Sequence, residues 1–130
     1  MKSALVPISW GELFDKITIL QIKSEKITSS TSLMNVNREL QQLKLVFDRN
    51  FKANSLATKL ENELRQINSK LWEIEDQIRE KERKKTFDNE FIRLARSVYI
   101  TNDERSLTKK KINETLGSEL VEEKSYSQYL

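Results

Sequence analysis

From Leu56 to Lys85 the chain runs without a glycine or a proline. Leu56, Leu60, Leu64, Ile67, Leu71, Ile74 and Ile78 recur there at helical spacing. An apolar stripe of this period predicts an amphipathic helix packed in a bundle. Unbroken, it is roughly 45 Å long at about 1.5 Å per residue. A second stripe runs beside the first: Asn68, Trp72, Glu75, Arg79 and Glu82, spaced four, three, four, three. Charged groups at the edge of a packed seam are partly desolvated, so their pairing matters more than on an open surface. Trp72 argues for some burial, since a large aromatic is seldom left in solvent. The stripe is either a site or a set of exposed i,i+4 pairs such as Glu75–Arg79.

The other segments supply partners for such a helix. With 2 Gly and 1 Pro in 130 residues, turn punctuation is too scarce for an all-β or Rossmann-type chain. The expectation is an all-α fold, a four- to five-helix bundle with one long central helix at about 55–85. It forms a single domain over 1–130, with the bundle at 8–117 and a docked C-terminal tail at 118–130. Ser9 to Glu12 predicts a capping box opening helix 1, which runs to about Thr28. Trp10, Phe14 and Ile17 line one side of it, and Ile19 and Ile22 the other, as in a central helix. Asp15 and Lys26 fall at the rims of that second side. Thr28 to Ser32 predicts a loop. In helix 2, from about Leu33 to Asn50, Leu33, Val36, Leu40, Leu43 and Phe47 keep a strict heptad. Ser55 is the expected cap of helix 3. Helix 4 starts at Thr86 or Asp88, with Phe87, Phe91, Leu94, Ala95 and Val98 as its core stripe. Thr101 to Glu104 predicts another capping box and a separate helix 5, ending at Gly117. Lys109 to Lys111 in it are expected to be solvated. The tail is too apolar to hang free.

Neither His nor Cys occurs. That excludes Ser-His-Asp and Cys-His catalysis, thiolate chemistry and zinc sites built on imidazole or thiolate. No disulfide framework exists, no stretch approaches a membrane span, and no signal peptide is evident, which together suggest a cytoplasmic protein with no membrane partner. The net charge of +3 gives only mild support for an anionic partner.

Three constellations carry chemistry. Arg96 and Tyr99 follow Ile92 on helix 4, with Asn102 and Asp103 next. Arginines placed this way receive phosphate or carboxylate, or else pair with Glu75 or Asp76 and merely orient helices. Glu12 with Asp15, and Glu73 with Asp76, are two E-x-x-D pairs. Facing each other they would hold Mg²⁺, as in all-helical nucleotide pyrophosphohydrolases, although the pattern is common in charged helices and Glu73 and Asp76 point away from the seam. Arg79, Arg83, Lys84, Lys85 and Lys109 to Lys111, with Trp72, Tyr99 and Tyr126, raise nucleic acid as a third class, but Glu80 and Glu82 interrupt the run.

Ser9-Trp10-Gly11-Glu12-Leu13 with Asp15 to Leu20, Leu71 to Asp76 with Ile78-Arg79, Leu94 to Tyr99 with Asn102-Asp103, and Glu122 to Tyr126 resemble, over nearly the whole chain, a small all-helical family of unknown function found in bacteria and their phages. The resemblance implies no activity. It implies at most a surface-polysaccharide context, since members occur beside glycosyltransferases. It also draws attention to Asp15, Lys16, Glu75, Asp76, Arg79, Arg96, Tyr99, Asn102, Asp103 and Lys124.

The expectation is a non-catalytic helical module, without catalytic residue, metal or cofactor, that binds a partner protein or a small anionic ligand. Lys16, Arg79, Arg96, Tyr99 and Asn102 are the ligand-facing residues, oriented by Asp15, Glu75 and Asp76. A Mg²⁺-dependent nucleotide hydrolase and a nucleic-acid-binding protein are the alternatives. The heptad of helix 2 and the length of helix 3 exceed what a compact monomer needs and suggest a homodimer.

Overall fold

Each helix begins where a short polar side chain takes up a free amide of its first turn. A computed structural model, describing residues 3–129, contains four α-helices: α1 (Trp10–Lys26), α2 (Ser30–Phe51), α3 (Ser55–Arg83) and α4 (Asn89–Thr115). No strand occurs among the described residues, and none of these helices is long and apolar enough to cross a membrane. Met1 and Lys2 of the expected lead-in, and Leu130 of the expected tail, lie outside the described residues. Ser9, Ser29, Asn54 and Asp88 cap the four helices in turn, each accepting a backbone N–H three residues on.

These caps correct several boundaries. The Ser/Thr run is mostly the first turn of α2, because Ser29 caps it and leaves only 27–29 as a loop. Asn54 caps α3 in place of Ser55. Glu12 does not close a capping box, since its carboxylate accepts instead from Lys109 Nζ at 2.9 Å. α3 stops at Arg83, and Lys85 takes the left-handed conformation (φ 54°) that lets the Thr86 N–H reach Lys81 O at 3.0 Å. Gly117 (φ 68°) serves the same purpose after α4, where the Ser118 N–H reaches Asn113 O at 2.7 Å.

The largest correction concerns helices 4 and 5, which are one helix. Thr101, expected to cap a new helix, lies inside α4 and is 1% exposed. Burial of that face against the rest of the bundle overrides a local motif that would otherwise begin a helix at the surface.

Although α1 is the shortest helix, it packs against all three others. Its two-sided apolar pattern produces this: Leu13, Phe14 and Ile17 are buried together with Phe47 and Phe51 of α2, Ala57, Leu60 and Leu64 of α3, and Ile112 of α4. Trp10 and Phe14 meet Phe51 edge-on at ring-centroid distances of 4.9 and 5.5 Å, a preferred aromatic geometry. Val36 and Phe47 of the α2 heptad are buried within the chain. At Gly11 the backbones of α1 and α4 come into close contact. A Cβ there would lie 2.6 Å from Lys109 O, and the Gly11 N–H donates to Asn113 Oδ1 at 2.7 Å.

Length separates the two halves of the molecule. α1 ends at Lys26, which pairs with Glu73 at 3.2 Å, whereas α3 continues to Arg83. Beyond α1, the end of α3 and the start of α4 form a helical hairpin closed by Lys81 to Asp88 (3.0 Å) and Glu90 (3.2 Å). The open flank where this hairpin meets α1 holds the candidate site.

Candidate functional site

The cleft on that flank has a volume of about 540 Å³. Ile19 and Ile22 of α1, with Leu71 and Trp72 of α3, form its apolar floor. Asn68, Glu75, Asp76 and Arg79 of α3, with Asn102 and Arg105 of α4, supply its polar walls. Four members of the polar stripe of α3 therefore face one cleft, while Glu82 lies outside it and pairs with Lys85 at 3.2 Å. The i,i+4 pair Glu75–Arg79 is also present, at 3.2 Å and with the arginine side chain 76% exposed.

Beneath the cleft lies a buried charge network. Asp15 is 2% exposed. Its Oδ1 accepts from Asn68 Nδ2 at 3.0 Å and from Arg105 Nε at 2.9 Å, and its Oδ2 accepts from Arg105 Nη2. Asn68 Nδ2 also donates to Thr18 Oγ1 at 2.9 Å, and Thr18 donates to Phe14 O at 2.9 Å. Lys109, 6% exposed, lies 2.9 Å from Glu12, 2.9 Å from Glu122 and 3.6 Å from Asp15. Burial opposes ionisation of Asp15. The hydrogen bonds from Arg105 and Asn68 and the charges of Arg105 and Lys109 outweigh it, and the carboxyl titrates below the usual range. Burial likewise disfavours the Lys109 ammonium, yet bonds to Glu12 and Glu122 and the charge of Asp15 hold its pKa above that of a free lysine.

Residues expected to share one site divide into two groups. Asn102, Glu75, Asp76 and Arg79 line the cleft, and Asp15 supports it from below, bonded to Arg105 rather than to Arg79 or Arg96. Lys16 is exposed and does not line the cleft. Arg96 is exposed, outside the cleft, and forms no ion pair with Glu75 or Asp76 among the described residues. Tyr99 points to the tail, meeting Tyr129 edge-on at 5.2 Å. Asp15 sits at the centre of its face, not at the rim, and Lys109 is not solvated. The two E-x-x-D pairs disperse: Glu12 goes to Lys109, Asp15 to Arg105, Glu73 to Lys26 and Asp76 to the cleft. Among the described residues no three carboxylates gather closely enough to hold a metal ion.

Of the two cations of the network, Arg105 falls outside the residues that motif and resemblance single out, and Lys109 enters only with the solvated run Lys109 to Lys111. A signal for them exists nonetheless. Asn102, Arg105, Lys109 and Asn113 recur at three, four and four, a polar stripe on one face of a continuous α4. A helix break at Thr101 hides that register.

The tail lies along α4. Ser118 Oγ accepts the Trp10 N–H at 3.2 Å, Glu122 reaches Lys109, and Asp103 takes Lys124 Nζ at 2.9 Å and the Tyr129 hydroxyl at 2.6 Å. These anchors are polar, and Leu120, Val121 and Tyr126 stay exposed.

Fold and cleft together define a four-helix module with a lateral, partly apolar groove over a buried ion network. The chain belongs to DUF6165, a family of unknown function whose model matches residues 4–130. No curated protein and no solved structure matches it.

Proposed function

We propose that the protein is a non-catalytic binding module and that its cleft receives an amphipathic helix of a partner protein. One observation carries this. The α3 residues lining the cleft are Asn68, Leu71, Trp72, Glu75, Asp76 and Arg79, at spacings of three, one, three, one, three. That is the stripe a helix presents to a packed neighbour, and here it faces an open groove. It extends roughly 16 Å along α3, about three turns. Ile19 and Ile22 of α1 extend the apolar floor, and Asn102 and Arg105 of α4 supply a facing polar wall for an incoming helix.

The charges lining the cleft favour a protein segment over a small anion. Glu75 and Asp76 balance Arg79 and Arg105, and both arginines are already bonded, to Glu75 and Asp15. A balanced rim orients a partner more than it attracts one. Trp72 is the expected anchor, since a half-buried tryptophan at the centre of a groove is the commonest kind of binding hot spot.

Display selection of helical peptides against the chain, with counter-selection on Trp72→Ala, tests this. Enriched peptides should carry apolar residues at i, i+3 or i+4, and their affinity should fall about tenfold or more on Trp72→Ala, a loss typical of a hot spot, with the melting temperature little changed. Failure to enrich any sequence whose binding depends on Trp72 refutes the proposal.

A further inference from the structure

Lys109 is a buried ammonium whose outermost partner comes from the tail. Its side chain is 7% exposed, yet Glu122, which pairs with it at 2.9 Å, is 53% exposed and belongs to a segment without regular structure. Ser118 is held by backbone, its N–H donating to Asn113 O at 2.7 Å and its Oγ accepting the Trp10 N–H at 3.2 Å, but the anchors beyond it are surface contacts: Lys124 and Tyr129 on Asp103, and Tyr129 against Tyr99. Exposed ion pairs of this kind hold weakly. The strength of the seat and the weakness of the strap are therefore mismatched.

The seat adjoins the cleft. Lys109 lies one turn from Arg105 on α4, and both touch Asp15, so the ammonium and the cleft-lining guanidinium share one buried carboxylate. With the tail in place, two cations, Arg105 and Lys109, face three carboxylates, Asp15, Glu12 and Glu122. Without it the count is two against two, and Lys109 loses one of its carboxylate partners.

We propose that residues 119–129 form a displaceable strap whose Glu122 occupies a carboxylate seat at Lys109, and that an acidic side chain of the segment entering the cleft takes this seat when the strap leaves. The occupant rests on the partner-binding proposal above, whereas the seat and the strap do not. The chain's own tail is then an internal competitor, and a cleft ligand lacking an aspartate or glutamate at its α4 end binds without releasing the strap.

The test uses the full chain and the double variant Glu122→Gln, Asp103→Asn. Backbone ¹⁵N relaxation of 119–129 should show an ordered segment in the wild type and order parameters below about 0.6 in the variant. A synthetic peptide with the sequence of residues 118–129 should bind the variant in trans, shifting the Lys109, Arg105 and Asn102 resonances. The same peptide with glutamine at the Glu122 position should bind at least several-fold more weakly, as expected for loss of a charge-assisted bond. Equal mobility of the segment in wild type and variant overturns the strap, and equal affinity of the two peptides overturns the seat. Adding Trp72→Ala to the double variant and repeating the titration separates this from the cleft: that change removes partner binding and leaves the tail peptide bound.

Discussion

Replacing Asp15 by asparagine tests the network on which the cleft rests. The change is nearly isosteric, so packing around Phe14 and Thr18 stays intact. The oxygen of the introduced amide can still accept from Asn68, but its nitrogen faces the Arg105 guanidinium donor to donor. Removing one partner of a fully buried pair costs about 3–5 kcal/mol. The loss should be smaller here for two structural reasons. The Arg105 side chain is 29% exposed and can recover water, and Lys109 keeps Glu12 and Glu122 at 2.9 Å each. We therefore expect about 2–3 kcal/mol, a fall in melting temperature of roughly 6–15 °C for a domain of this size.

The pH dependence gives the sharper check. Folding holds the Asp15 carboxyl below its usual pKa, so its contribution is fully present above the unfolded value near 3.8 and is lost as pH falls through the native value. The amide of the Asp15→Asn variant has no such proton to take up. Other carboxylates with lowered values, such as Asp88 and Asp103, titrate alike in both proteins and cancel in the difference. Urea unfolding of wild type and Asp15→Asn between pH 7 and pH 3 should show a constant gap down to about pH 5 that narrows steadily below pH 4. A variant as stable as the wild type, or a gap that does not narrow in acid, refutes the assignment of Asp15 as the ionised centre.

Gly11→Ala should destabilise the fold, because its Cβ meets backbone at Lys109 O and the overpacking cost of about 1–3 kcal/mol exceeds the gain of at most about 1 kcal/mol in helix propensity. A thermal melt at or above the wild-type temperature counts against so close an approach of α1 and α4. Thr101→Val should stabilise by about 1 kcal/mol in chemical unfolding, since the buried Thr101 hydroxyl has no hydrogen-bond partner among the described residues and valine keeps its shape. Destabilisation there would mean the hydroxyl is bonded after all. Asn113→Ala should cost about 1 kcal/mol by leaving the buried Gly11 N–H unpaired, read as a lower urea midpoint at unchanged m-value.

Periodicity made much of this fold legible, and its failures share one cause. The apolar seam of α3, the two-sided pattern of α1 and the heptad of α2 are signals repeated over many residues, and each is realised in part: Leu60, Leu64 and Ile74, Phe14, Ile17 and Ile22, and Val36 and Phe47 are buried, while Leu56 is exposed and Ile19 lines the cleft. Capping motifs are four residues long and compete with burial. Ser9 caps where Pro7, two residues ahead, bars a longer helix, whereas Thr101 carries the same motif on a face that α4 must bury, and the helix continues through it, leaving a hydroxyl with no partner among the described residues. The polar stripe of α3 marked one wall of the cleft, because its spacing depends only on α3. The opposite wall depends on the register of α4, and a break at Thr101 rotates everything after it out of view. Lys109 then reads as surface charge and Arg105 attracts no reading, although Asp15, buried on the second apolar side of α1, already required cations to accompany it. A buried carboxylate between apolar neighbours in a central helix is thus itself evidence for a cationic stripe elsewhere in the chain, and the helix offering arginine and lysine one turn apart, in reach of Asn102 and Asn113, is an unbroken α4.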